Sequence, residues 1–417
     1  MMQKYPISFS SAGTQLNRFI NSKRTKLPML VWCVLFFILL ASGASGQIFG
    51  FNISGISWIV PLLFSVYVIA TRLSLVTFPW KLWLPWVLLL IIHMLTLDYA
   101  LLDFRVSPLQ RTTQVLSPLA IGVAVSTYRP SQAMLEKFFS VLQLFAYLVI
   151  GLIAFTGRNM FLTPDFSGFA AQNMTVLLLC VFFANRYLLF REMRDLQLWF
   201  VLACIPVISV TRMVIAVTLL TFPLAFSPMS ITRRLVFILL MMVAGLGIFQ
   251  LPIVQEKMFF SGHGELSDIG HSDDFATSGR SAIWEVLYEE AQKELLTGHG
   301  TGAAETITYS FTPVGYPHND WLLTFYDYGI LGVVIYVLCL ILTIWHGFRA
   351  QIASHHMATR LLMLAGVSAF IPFMIVMYTD NIMVYASFFG MLHYTFLGLG
   401  YGALKVEQDV KRVRMDS

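Results

Sequence analysis

Apolar residues fall in repeated long runs along this chain, each near the length that crosses about 30 Å of hydrocarbon. The pattern predicts twelve spans, near 28–46, 54–71, 80–97, 107–127, 138–156, 167–185, 196–210, 212–228, 234–251, 329–346, 361–379 and 382–403. The fourth is the weakest, because it carries Gln110, Arg111 and Gln114. The seventh and eighth are short and meet at Ser209-Val210-Thr211-Arg212. The runs do not alternate residue by residue, which sets them apart from the strands of an outer-membrane barrel. The expected fold is therefore all-α and polytopic.

One long polar interval, 252–328, interrupts the apolar runs. Around it the chain divides into an N-terminal segment 1–27, spans one to nine over 28–251, the interval itself, spans ten to twelve over 329–403, and a tail 404–417. Within the interval, 252–277 lacks periodicity and reads as loop. Residues 279–296 read as an amphipathic helix, with Arg280, Trp284, Leu287 and Ala291 on one face. Ser278 is placed to cap it, and Gly298 follows its last turn. Residues 298–317 read as a Gly- and Pro-containing connection. A second helix is expected to start near His318, after Pro317, and to reach the membrane at Gly329. No internal repeat is evident.

Composition supports the membrane reading. Of 417 residues, 57% are hydrophobic and only 12% charged, against about one quarter charged in soluble domains. The net charge of +5 does not point to nucleic acid, because the basic residues sit in alternate loops, as topology requires. With the N-terminus in the cytoplasm, the inner loops carry Lys23, Arg24 and Lys26, Arg72 and Lys81, Arg129 and Lys137, Arg186, Arg191 and Arg194, Arg233 and Arg234, Arg349 and Arg360, and Lys405, Lys411 and Arg412. Both termini are then cytoplasmic. The polar interval lies on the outer face, the periplasm of a Gram-negative cell. Cys33, Cys180, Cys204 and Cys339 all lie in apolar runs and read as packing residues, not as a disulfide or zinc framework. His263, Glu265, Asp268, His271, Asp273 and Asp274 fit no ligand spacing, so neither a metal nor another cofactor is expected.

Few polar residues remain to carry chemistry. Arg280 opens its helix, where the dipole mildly disfavours a cation and a bound anion would compensate it. Its planar fork of donors suits phosphate oxygens. Arg212 lies between two short spans, where a cation either snorkels or faces a polar cavity. His318 can move a proton near neutrality, and Asn319 either orients it or caps the helix. Gly298, Gly300 and Gly302 allow sharp turns or close approach to a ligand. Gln172 and Asn173, near the outer end of the sixth span, either bond neighbouring helices or line the same cavity as Arg212. His93 and Asp98 sit too shallow for a proton path, and Asp380-Asn381 reads as a turn between the last two spans.

These motifs, in this order, resemble the O-antigen ligase and polysaccharide polymerase superfamily of bacterial envelope proteins. The carrying residues are G-R-S-A-I-W at Gly279–Trp284, G-H-G-T-G at Gly298–Gly302, H-N-D-W-L-L at 318–323 and D-Y-G-I-L-G at Asp327–Gly332. S-G-F-A-A-Q-N at Ser167–Asn173 and S-V-T-R at Ser209–Arg212 add to them. The resemblance implies a GT-C-like inner-membrane glycosyltransferase that takes an undecaprenyl-diphosphate-linked glycan on the periplasmic side. It implies transfer without metal and with inversion, either to lipid A–core (ligase) or to the next lipid-linked repeat (polymerase). His318, Arg280 and Arg212 would be catalytic. Asn319, Trp284, Gly298, Gly300, Gln172 and Asn173 would bind substrate. Membrane lipids surround the protein, and a chain-length regulator is a further possible partner. The competing reading is a transporter or flippase of lipid-linked saccharides, which would place cations in a central cavity between symmetric repeats.

Overall fold

A computed structural model describes residues 26–43, 47–48, 51–96, 108–157, 170–269, 274–276, 279–312 and 315–415. Asp98, Ser167, Gly168, His271, Asp273, Ser278 and most of the N-terminal segment fall outside these residues.

The first half of the chain forms α1 (Met29–Gly43), a two-residue antiparallel pair β1 (Gln47–Ile48) and β2 (Phe51–Asn52), α2 (Ile53–Arg72), α3 (Leu84–Thr96), α4 (Pro108–Val125), α5 (Gln132–Gly157), α6 (Ala170–Phe190), α7 (Met193–Ile208), α8 (Arg212–Leu219) and α9 (Ile231–Phe249). The polar interval holds α10 (Pro252–Met258), α11 (Arg280–Ala291) and α12 (Ala303–Phe311). The chain closes with α13 (Asp320–Ala353), α14 (Met357–Ser368), α15 (Phe370–Val376) and α16 (Met391–Met415). At the centre, α16 packs on α4 and α14, and α14 packs on α6. Of the six described helices long and apolar enough to cross a membrane, α6 is the most enclosed, with 78% of its apolar window buried. Helix α9 shows the opposite pattern. Leu235, Val236, Leu239, Leu240, Met242 and Val243 are all exposed, as suits a helix whose solvent is lipid.

Among the described residues, six helices are long and apolar enough to cross a membrane, and Met29–Ser42 and Trp80–Thr96 are shorter apolar helices. The chain is a helical membrane protein. The eighth expected span, 212–228, departs from a continuous helix. Helix α8 has eight residues, about 12 Å at 1.5 Å per residue, and turns follow it. Pro223 stops the helix at Leu219, four residues before it, since its ring clashes with that carbonyl and it lacks the N–H a helix interior needs; Pro228 lies further on, ahead of α9. The freed backbone groups still find partners. Arg234 donates to the carbonyls of Pro223 (2.6 Å) and Ala225 (3.1 Å), and Ser368 Oγ accepts from Phe226 N. Ser227 Oγ reaches Asn185 Oδ1 at 2.7 Å, so the segment does return to the far end of α6.

The polar interval is more structured than its sequence suggests. The expected loop 252–277 contains α10 and an antiparallel bridge between Phe259 and Phe275. The expected connection 298–317 contains α12. That helix is anchored from a distance, because Asp327 accepts hydrogen bonds from Gly302 N and Ala304 N, both 2.8 Å. A local scan for caps misses a cap supplied by another helix. Helix α11 forms where expected but stops at Ala291, and its buried face is Ile283, Leu287 and Ala291, against Leu323 and Tyr326 of α13, with Ile283 rather than Arg280 or Trp284 at its start. Its N-cap position is Gly279, in the left-handed region.

Helix α13 breaks where the sequence places the membrane boundary. Gly329 has φ 65° and ψ −169°, a conformation that only glycine adopts without strain. The break lets the segment 295–300 lie along 326–331. Ile330 N bonds Leu295 O, Leu331 N bonds Leu296 O, His299 N bonds Tyr326 O and Gly300 N bonds Asp327 O. The polar interval thus joins α13 through backbone hydrogen bonds.

Candidate functional site

Arg212, Arg280 and His318 come from three distant stretches of chain and converge at one end of the bundle. Arg280 and His318 meet at the turn 378–381, between α15 and α16. Arg280 donates from one terminal nitrogen to Thr379 O at 2.6 Å. His318 Nδ1 lies 3.4 Å from Asp380 Oδ1 and 3.2 Å from Asn381 Nδ2. Tyr385 donates its hydroxyl to the same Asp380 oxygen at 3.3 Å. Trp284 closes one side, with its indole N–H on Pro317 O at 2.6 Å and its ring 5.7 Å from that of Tyr378.

Arg212 reaches this region through the polar interval. It donates to Ala276 O at 2.7 Å and lies over the Phe275 ring at 5.8 Å. It is near enough to Arg280 for the two positive charges to oppose each other. The corner that carries it is held by Asn173, whose amide donates to Ser209 Oγ (2.9 Å) and Thr211 Oγ1 (2.6 Å). Val210, between them, has φ 47°, which is costly for a β-branched residue. The amide therefore fixes a strained turn under Arg212. Gln172 points elsewhere, to Ser42 O at 3.4 Å.

His318 also sits in the left-handed region, at φ 50°. Its neighbour Asn319 does not hold the ring. Asn319 caps α13 instead, accepting from Leu322 N at 2.9 Å, so the capping alternative is the realised one. Replacing Asn319 by Ala should cost about 1 kcal/mol of stability, whereas Asn319→Ser should retain both stability and activity. Thermal unfolding in detergent, alongside a transfer assay, checks this. Equal loss of activity in both variants would restore a direct role for the amide.

Gly298 and Gly300 serve the chain-to-chain ladder described above. At Gly298 (φ 71°) an added Cβ would lie 2.5 Å from Tyr328 N and Gly329 N, so close backbone approach accounts for this glycine without a ligand. Gly298→Ala should destabilise the protein by at least about 1 kcal/mol, read as a lower melting temperature.

Beneath His318 lies a buried ionic group the sequence does not reveal. Arg111 of α4 is 4% exposed. It lies 3.5 Å from Glu305 of α12 and 3.8 Å from Asp320 of α13. Burial raises the Glu305 carboxyl above its usual range, and Arg111 partly offsets the rise. Asp320 accepts from Met383 N at 2.8 Å and donates its own N–H to Met377 O at 2.7 Å. These two bonds clamp the segment 377–383, and with it Asp380, to the helix start that bears His318.

Sequence reasoning missed Asp380 and Asn381, which it read as a plain turn. The available signal was topological. An Asp-Asn pair between the last two expected spans falls on the same side of the membrane as His318 in the expected topology. It also missed Lys257 on α10, which lies near both Arg212 and Arg280. Partial burial, then these two like charges, lower the pKa of its ammonium. The expected group His263, Glu265, Asp268 and Asp274 is a set of local turns. Glu265 and Asp268 cap one another's backbone.

Residues 197–337 match the family model described as O-antigen ligase. No curated protein matches the chain at a significant level.

Proposed function

We propose that this chain, a member of the O-antigen ligase superfamily through residues 197–337, is a twelve-span, GT-C-like glycosyltransferase of the bacterial inner membrane. It would pass an undecaprenyl-diphosphate-linked glycan en bloc to an acceptor sugar on the periplasmic side. The observation that carries the reading is the meeting of Arg280 and His318 at the turn 378–381, with Arg212 close enough to Arg280 for their charges to oppose each other. Separate cations and an imidazole at one end of a membrane bundle suit a reaction in which a lipid diphosphate leaves and a hydroxyl attacks.

In this reading the acceptor oxygen forms a bond to the anomeric carbon as the bond from that carbon to the phosphate oxygen breaks. The electron pair stays on the diphosphate. Arg280 and Arg212 would stabilise that growing charge, as preorganised cations do in a water-poor site. His318 would take the proton of the acceptor hydroxyl. With a proton on Nδ1 the ring would donate to Asp380, the Asn381 amide turning its oxygen to the same nitrogen, and Nε2 would be free to accept. Attack from the face opposite the leaving group inverts the anomeric centre. Trp284 would shape the donor side. Asn173 acts through the corner it ties beneath Arg212.

Asp380→Asn keeps the shape but removes the charge that orients the ring. Its turnover should fall about tenfold to a hundredfold, with little change in KM. Single-turnover assays against wild type check this, and an unchanged rate would remove Asp380 from the mechanism. The reaction itself is tested with purified protein, lipid-linked repeats, and lipid A–core either present or absent. Product only with lipid A–core assigns a ligase; lengthened lipid-linked glycan without it assigns a polymerase. No product in either arm overturns the proposal.

A further inference from the structure

The two arginines do not exhaust the positive charge at this site. Helix α10 leads directly into an antiparallel contact: Ala276 N donates to Met258 O at 2.8 Å and Phe260 N donates to Asp274 O at 2.9 Å. The carbonyl of that same Ala276 receives Arg212. Lys257, one residue before Met258, therefore lies on the segment that pairs with the one receiving the arginine, with both guanidinium groups near enough to oppose its charge. Arg280 begins α11 four residues after Ala276. Among the described residues, the ion pairs involve Arg111, Arg186, Lys293, His318 and Lys405, and none involves Arg212, Lys257 or Arg280.

Three neighbouring cations repel one another, and an anion of matching charge relieves the repulsion. The arginines already commit one nitrogen each to a carbonyl, Ala276 O and Thr379 O. Those bonds set the direction of the forks and leave further N–H groups for an anion. A lysine adds what they lack, a compact charge that can follow an oxygen as it becomes more negative. A glycosyl diphosphate ester carries two negative charges. When its sugar–oxygen bond breaks, the electron pair stays on the phosphate oxygen and the lipid diphosphate gains a third. A monophosphate carrier would leave one cation unmatched.

We propose that Lys257 is the third cation of this site and that the trio of Arg212, Lys257 and Arg280 selects a diphosphate-linked lipid over a monophosphate-linked one. The inference rests on the transfer reaction proposed above, but its test does not need transfer. Purified full-length protein in nanodiscs is titrated with undecaprenyl diphosphate and, separately, with undecaprenyl monophosphate. Wild type should bind the diphosphate at least about tenfold more tightly. Lys257→Gln should reduce that ratio about tenfold by weakening the diphosphate alone, and Lys257→Arg should keep most of it. Lys257 sits on a short helix with much of its side chain open to solvent and only its ammonium crowded by the arginines, so folding should survive, checked by an unchanged melting temperature. A ratio that is the same in Lys257→Gln and wild type overturns the inference. If binding depends on Lys257 but no glycan is transferred under any acceptor condition, the trio stands and the glycosyltransferase reading falls.

Discussion

Arg280→Ala should lower glycan transfer about 10²–10³-fold, the loss typical when one preorganised charge is withdrawn from a developing oxyanion. Its described hydrogen bond goes to Thr379 O, and the buried face of α11 is made by Ile283, Leu287 and Ala291. The protein should therefore insert and melt normally. Arg280→Lys keeps a charge but loses the fork, and should recover only part of the rate. Purified variants assayed with the same lipid-linked donor separate these outcomes. Full activity in Arg280→Ala would remove the electrostatic argument for this site.

His318→Ala should be as damaging, about 10²–10⁴-fold, because a positioned base contributes on that scale. The variant also changes a residue in the left-handed region, where asparagine is better tolerated than most. His318→Asn therefore serves as the control: it should fold like wild type yet remain inactive. Added imidazole should rescue His318→Ala in part if the ring moves a proton. If imidazole restores nothing while donor binding weakens, His318 is a substrate ligand instead. Wild-type rates in both variants would end the assignment of this residue.

The path from sequence to this site was uneven for identifiable reasons. The apolar face of α11 could be read because helical period and burial are local properties. Gly329 marked the break in α13 for a similar reason: a glycine between polar and apolar stretches is conspicuous. Arg212 stood out because a cation between two short spans needs an explanation. Asp380 did not, because its meaning comes from a histidine 62 residues earlier in the chain. Helix α12 was hidden likewise, since its N-terminal N–H groups are satisfied by Asp327 from another helix. The eighth span was overread. Its apolar composition fitted a helix, but Pro223 and the carbonyls taken by Arg234 decided the backbone. Asn319 was legible in kind but not in role, because one side chain could serve as cap or as ring support until coordinates placed Leu322 N beside it.

The stretch that matches the family model ends short of the turn 378–381 and starts after α6. Yet Arg111, inside α4, is wedged against Glu305 and Asp320, and Asn173 steadies the bend ahead of α8. The matched third of the chain therefore carries Arg212, Arg280 and His318, the residues proposed to act, while part of what supports them lies outside it. A chimera that moved only that stretch onto a foreign set of spans would inherit the arginines and the imidazole but leave a lone buried Glu and Asp without their counter-charge. Swaps between relatives should succeed only when α4 travels with α12 and the start of α13.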